Sequence, residues 1–228
     1  MDKFYDKFEG RTFNQTPEDG KWYVVGDLHG RYDQLMDNLD EIGFDFDADK
    51  LFAVGDLIDR GPKSWECLML TYEPWFHSVL GNHEQMAYDC LIREDFHNYH
   101  MWTENGGLWY YEDGHRKYDS HKQEMLEIIT SLPNIITLTI GDNKVGIVHA
   151  SAGHDSVWPP NQTSISHYAE QTIWSRKALS GFMPKVAGVD LLITGHNPVD
   201  KIRLDNNVLM IDTGYPTGKL SLINIEDY

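Results

Sequence analysis

Five apolar runs in this chain each stop on a cluster of polar residues: KWYVVGDLHG (21–30), KLFAVGDLIDRG (50–61), HSVLGNHE (77–84), KVGIVHA (144–150) and DLLITGHNP (190–198). A short apolar run closed by Gly and a polar residue reads as a buried strand. Its repetition predicts strands that deliver Asp, His and Asn side chains to a single edge of a sheet, where open α/β folds bind ligands.

Between these runs the period changes. Tyr32, Leu35, Met36, Leu39 and Ile42 recur at helical spacing, and the same strand-then-helix order returns with 64–75 and with 85–95. That alternation predicts an α/β fold with a parallel or mixed sheet. Residues 122–132 predict another helix, with Met125, Ile128, Ile129 and Leu132 on one face. Later, 134–150, 201–212 and 213–225 read as strand pairs joined by Gly or Asn turns, which adds a second, antiparallel sheet. Segment 151–189 reads as a long loop with one short helix near 167–180. Residues 96–121, rich in aromatics and carrying His97, His100, His115 and His121, have no clean period and read as a lid-like insertion with surface or stacking histidines.

Length and charge narrow the function. A chain of 228 residues suits one domain, 1–228, with a core that needs no disulfides. Cys67 and Cys90 lie in apolar helical stretches and not in a Cys-x-x-Cys pair, so they read as buried thiols of a reducing compartment. The net charge of −17 argues against nucleic acid as a partner, because phosphate backbones are bound by clustered Lys and Arg. The polar N-terminus lacks a signal-like apolar segment, and no window nears the roughly 18 apolar residues of a spanning helix, so a cytoplasmic, membrane-free protein is expected.

Asp27-x-His29 presents a carboxylate and an imidazole together, Asp56 adds a carboxylate with two oxygens to share, and Asn82, His149 and His196 each close a strand. These six are candidate ligands, and a donor set of oxygen and nitrogen without thiolate suits manganese, iron or zinc. Two such cations roughly 3.5–4 Å apart form a hydrolytic device. His83 follows Asn82, so its side chain is expected to face substrate, and Asp59 is placed to orient it as a protonated general acid. Arg60 and Arg176 are candidate phosphate clamps.

The motifs GDLHG, GDLIDRG and GNHE, with His149 in VHA and His196 in TGH, closely resemble the phosphoprotein phosphatase branch of the calcineurin-like metallophosphoesterases. The small bacterial and bacteriophage enzymes of lambda type are the nearest likeness, and it extends through GNHEQM, the NGG of 105–107, IWSR and IDTG. The resemblance implies a β-sandwich flanked by helices. It implies a first metal on Asp27, His29 and Asp56, and a second on Asp56, Asn82, His149 and His196, usually manganese. His83 with Asp59 becomes the proton-donating pair, and Arg60 and Arg176 contact the substrate phosphate, with Asn82 beside them. The implied activity is metal-dependent hydrolysis of phosphoserine or phosphothreonine in proteins, by in-line attack of a metal-bound hydroxide.

One position departs from the pattern. Where the protein phosphatases usually read Arg-Gly-Asn-His-Glu, this chain has Leu80, which cannot donate to an oxyanion. Symmetrical diadenosine tetraphosphate hydrolases resemble the chain in reading Leu-Gly-Asn-His, which makes a nucleotide substrate the alternative. A cation from the insertion, Arg116 or Lys117, is a third way to supply the missing donor.

Overall fold

A computed structural model describes residues 8–16, 19–112, 115–153, 156–160 and 165–228. In chain order the strands are β1 (Gly10–Asn14), β2 (Trp22–Val25), β3 (Lys50–Ala53), β4 (Phe76–Ser78), β5 (Tyr111–Glu112), β6 (His115–Arg116), β7 (Ile135–Ile140), β8 (Asn143–Val148), β9 (Leu191–Thr194), β10 (Arg203–Asp205), β11 (Val208–Met210) and β12 (Leu222–Asn224). The helices are α1 (Tyr32–Glu41), α2 (Ser64–Met69), α3 (Asn82–Arg93), α4 (Phe96–Glu104), α5 (Lys122–Ser131), α6 (Ile165–Trp174) and α7 (Gly214–Thr217).

Two mixed sheets face each other. One has the order β12-β2-β3-β4, and the other β1-β7-β8-β9-β11-β10. The strands β2, β3 and β4 run parallel, as do β8, β9 and β11, whereas β7–β8, β10–β11 and β2–β12 are antiparallel. Alternation along each strand divides the apolar residues between layers. Val24, Phe52, Ile136, Leu138, Ile147, Ile193 and Leu209 fill the space between the sheets. Tyr23, Val25, Leu51 and Ala53 point the other way, into a core shared with Leu35 and Leu39 of α1, Met86 and Leu91 of α3, and Met125 and Ile129 of α5. On the far side of the larger sheet Ile135, Val148, Leu192, Val208 and Met210 pack beneath Trp158, Met183 and Val186. This is the mixed α/β sandwich with flanking helices that the resemblance implies.

Several expectations change. The five polar strand ends come from both sheets and not from one, because β8 and β9 belong to the larger sheet. Strand β1 was unforeseen: GRTFN is exposed at four of its five positions, so its pairing with β7, and not its own apolar content, makes it a strand. The segment 213–225 forms one strand and not a pair, since TGYPT winds into α7 and only Leu222–Asn224 reaches β2. The helix expected near 167–180 is α6, which ends at Trp174 and is followed by a separate turn at Lys177–Leu179. Ile42 caps α1 and is 41% exposed, outside the buried face. Within 96–121 the structure contains α4, a turn at Gly107–Tyr110 and the β5–β6 hairpin; rings on several faces hid the period. His100 meets Phe96 edge to face at 4.1 Å, and His121 meets Trp65 edge to face at 5.0 Å, so both make ring contacts of a T-shaped and not a stacked kind.

Among the described residues no helix is long and apolar enough to cross a membrane. Cys67 and Cys90 are both free and buried.

Candidate active site

The C-terminal ends of β2, β3, β4, β8, β9 and β11 converge on one cavity of about 170 Å³ lined by Asp27, Asp56, Arg60, Asn82, His83, Arg176, His196, Pro198 and Asp212. Each strand stops at its motif because the next residues leave extended geometry. His29, Asp56, Asp59, Arg60 and His196 all have positive φ, between 44° and 75°, a conformation uncommon for residues with a side chain and concentrated at functional sites. Gly81 is required here: a Cβ would lie 2.2 Å from Asp56 Oδ1, so only glycine lets the β4–α3 turn close over the Asp56 loop.

Asp56 is the hub. His149 Nε2 lies 3.3 Å from its Oδ1, and His29 Nε2 and His83 Nε2 lie 3.6 and 3.8 Å from its Oδ2. The first turn of α3 points at it as well, with the His83 backbone N–H donating to Asp56 Oδ1 at 3.0 Å. Burial pushes the Asp56 carboxyl up, but His149, His83, His29 and His196 outweigh burial and hold it well below the usual carboxylate range.

The imidazoles are aimed by the atoms behind them. His29 Nδ1 is held by the Ile58 carbonyl at 3.0 Å and His149 Nδ1 by the Val54 carbonyl at 2.7 Å, which turns each Nε2 inward. His149 Nε2 and His196 Nδ1 close on Asn82 Oδ1 at 2.9 and 2.8 Å. His196 Nε2 is buried without a partner. Burial lowers His29 to about 3 and also lowers His149 and His196, so all three stay neutral at pH 7, the form that ligates metal.

Two triads of donor atoms lie mutually within 4.8 Å: His29, Asp56 and His83, and Asp56, His149 and His196. The second, with Asn82, brings together the ligand set expected for one cation. The first differs from expectation, since His83 joins it and Asp27 joins neither triad. Asp27 lines the same cavity and accepts the His196 backbone N–H at 3.1 Å, while burial, Asp212 and Asp56 raise its pKa. A buried set of carboxylate, amide and imidazole donors with no thiolate fits a divalent metal centre.

His83 and Asp59 form the expected pair. His83 Nδ1 is 2.6 Å from Asp59 Oδ2, and both residues are buried. Burial pulls the imidazole pKa down, yet Asp56 and Asp59 outweigh it and raise His83. Trp102 Nε1 donates to Asp59 at 3.0 Å and Trp109 Nε1 at 2.7 Å, so the 96–121 segment buttresses the His83–Asp59 pair. Arg60 bridges His29 Nε2 at 2.6 Å and His83 Nε2 at 3.0 Å. Arg176 donates to the His196 carbonyl from the turn after α6.

Three further groups carried no assigned role in the sequence reading. Glu84, fully buried, accepts the backbone N–H groups of Asp56, Leu57, Ile58 and Gly81 and so locks the GDLID loop to α3. Its spacing from Gly81, three residues into a helix, is a capping signature that could have found it. Trp102 and Trp109 had no such local signal. Asp212, in IDTG, borders the cavity, and burial followed by Asp56 raises it to about 6. Leu80, by contrast, is absent from the lining; it is 4% exposed and packs in the helix-side core, with its N–H on the Pro133 carbonyl. Arg116 does not replace it, being paired with Glu94 and Asp119.

Comparison with known proteins agrees with this geometry. Residues 20–200 match the calcineurin-like phosphoesterase family. The chain is 34% identical over 220 residues to serine/threonine-protein phosphatase 2 of Escherichia coli K12, covering 90% of this chain and 92% of that protein. It is 32% identical to serine/threonine-protein phosphatase 1 of Salmonella typhimurium, covering 99% and 98% of the two chains. Identity to the symmetrical bis(5'-nucleosyl)-tetraphosphatase of Actinobacillus succinogenes is 46% but over 70 residues, 30% of this chain and 26% of that one. A crystal structure provisionally described as a diadenosine tetraphosphatase superposes with a TM-score of 0.66 at 19% identity, covering 96% and 98% of the chains, which speaks for the fold alone. With strand ends, donor set and family match in agreement, this chain belongs to the calcineurin-like phosphoesterase family.

Proposed function

We propose that this protein is a metal-dependent phosphatase acting on phosphoserine and phosphothreonine in proteins, with residues 1–228 working as one catalytic unit. The observation that carries the reading is the nearly full-length similarity to bacterial serine/threonine-protein phosphatases, set against a tetraphosphatase similarity confined to less than a third of the chain.

Asp27, His29 and Asp56 would hold one cation, and Asp56, Asn82, His149 and His196 the other, with manganese the leading candidate and iron or zinc compatible with the same donors. Such a pair supplies Lewis acidity and a water nucleophile at neutral pH. The protein's own residues do the rest. Arg60 and Arg176, at the cavity wall, bind and orient the phosphoryl oxygens, and Asn82 stands beside them. His83, held through Nδ1 by Asp59, presents Nε2 toward the cavity and gives its proton to the departing serine or threonine oxygen. Arg60 lies on that same nitrogen, so it exchanges His83 for the phosphate when substrate enters.

A substrate panel tests the reading. Purified protein with manganese is assayed on a phosphoserine peptide, an aryl phosphate and diadenosine tetraphosphate. The phosphopeptide should be the better substrate by kcat/KM; a preference for the dinucleotide would establish the alternative, a symmetrical tetraphosphate hydrolase.

A further inference from the structure

Asp212 follows β11 in the sequence IDTG and is 2% exposed, yet it borders the cavity together with Asp27 and Asp56. Its Oδ1 has no hydrogen-bond partner. Arg31 does not neutralise it through contact: Arg31 Nη2 donates to the Gly214 carbonyl at 3.0 Å, and Nη1 is itself buried without a partner. A carboxylate withdrawn from water beside two other carboxylates is costly unless a cation or donor meets it. Arg60, Arg31 and Arg176 act on it through charge, but burial and Asp56 outweigh them, and no protein donor meets Oδ1. The histidines that offset Asp56 lie against both of its oxygens, and Asp27 and Asp212 add further hard oxygen donors to the cavity lining.

We propose that Asp212 is a positioning residue for the cation held on the Asp27 side of the centre, its unpartnered oxygen accepting a hydrogen bond from water on that cation. This rests on the two-cation reading above. A hydrogen bond through water suits it better than direct ligation, because Asp27, His29 and Asp56 already offer three protein donors. Catalytic centres keep their remaining positions open for water and substrate. Groups that hold such water orient it and raise metal affinity, which gives the unpartnered oxygen of this buried carboxylate its function.

The test uses Asp212→Asn, with Asp212→Glu as the conservative control and as the working variant if the amide form fails to fold. Manganese binding to chelator-treated protein is followed by calorimetry, and melting is measured in EDTA and in manganese. The expected result for Asp212→Asn is two sites still filled, with one affinity lowered about 10- to 100-fold. Its melting temperature in EDTA should equal or exceed the wild-type value, while the rise on adding manganese shrinks. Asp212→Glu should recover part of the lost affinity. Isotherms within about twofold of wild type would overturn the proposal, as would equal losses of melting temperature with and without manganese, the mark of a purely structural role. A stoichiometry reduced to one would also overturn it, by making Asp212 a direct ligand. If the wild type itself bound no manganese, the two-cation reading would fall first, and that outcome is distinct from wild-type binding with an unchanged variant.

Discussion

The space between the two sheets and the rim at their C-terminal ends are built from the same strands and obey opposite rules. Between the sheets Val24, Phe52, Ile136, Ile147, Ile193 and Leu209 meet side chain to side chain on regular backbone, with His77 the one ionisable ring packed on Phe52 among the described residues. A few residues further along, the rim buries Asp27, His29, Asp56, Asp59, His83, His149, His196 and Asp212, several on positive φ. The interior gains stability from apolar burial. The rim concentrates charge and backbone strain, offset by its mutual contacts and by Glu84 and, on the proposed reading, by the cations it would hold. The difference teaches where stability and function separate: a change in the interior should alter how much protein is folded, and a change at the rim should alter what the folded protein does.

The hardest blow to the rim is Asp56→Asn, since Asp56 faces both donor triads. Turnover is expected to fall to background, and elemental analysis should show reduced metal at both positions. Wild-type metal content with full activity would remove Asp56 from the hub. Next is His83→Asn, which should lower kcat by about 10²–10⁴-fold on a serine phosphoester while leaving metal content intact. The loss should be smaller on an aryl phosphate, whose leaving group needs little protonation; equal losses on the two substrates would take the proton-donating role from His83.

The interior predicts the converse. Phe52→Ala should cost about 3–5 kcal/mol in denaturant unfolding, because Phe52 is fully buried against Trp22 and Phe13. Its kcat per folded molecule should match wild type, and a catalytic defect at full occupancy of the folded state would break the comparison.

The smallest effect concerns His77 on β4, which lies 4.5 Å from the Phe13 ring and 5.3 Å from Phe52 and so joins the two sheets. Burial, then Lys50 and Arg11, lowers it from 6.5 to about 4. The unfolded chain therefore takes up the proton first as pH falls. The stability His77 contributes is fully present above pH 6.5 and is lost between 6.5 and about 4, by at most about 3 kcal/mol. His77→Phe should shrink the loss of stability over that window relative to wild type; an unchanged difference between pH 7 and pH 4 would show that His77 does not sense acid.

Much of this was legible along the chain. The five strand ends were, because a short apolar run and its stop on Asp, His or Asn, in four of the five after Gly, are local signals. The second triad and Asn82 converge as expected, and His83 meets Asp59 at hydrogen-bonding distance. Less legible were residues whose role is given by distant partners. Strand β1 is recruited by β7, more than a hundred residues away in sequence. Trp102 and Trp109 looked like parts of an aperiodic aromatic segment until their indole N–H groups met Asp59. Leu80 drew attention as a missing phosphate donor, but it sits in the core, so the departure from the arginine pattern is a packing feature in this fold.

The sequence by itself determined which residue types stand at each strand end and which faces of the strands and helices are apolar, since both follow from the periods of two and 3.6 that backbone geometry imposes. Only the tertiary structure decided that these ends come from two sheets, that His83 shares a donor group with His29 and Asp56, and that Asp212 borders their cavity with one carboxylate oxygen unpartnered. Such facts are set by the pairing and packing of elements far apart in the chain, where burial and neighbouring charge act through space and leave no trace in local order.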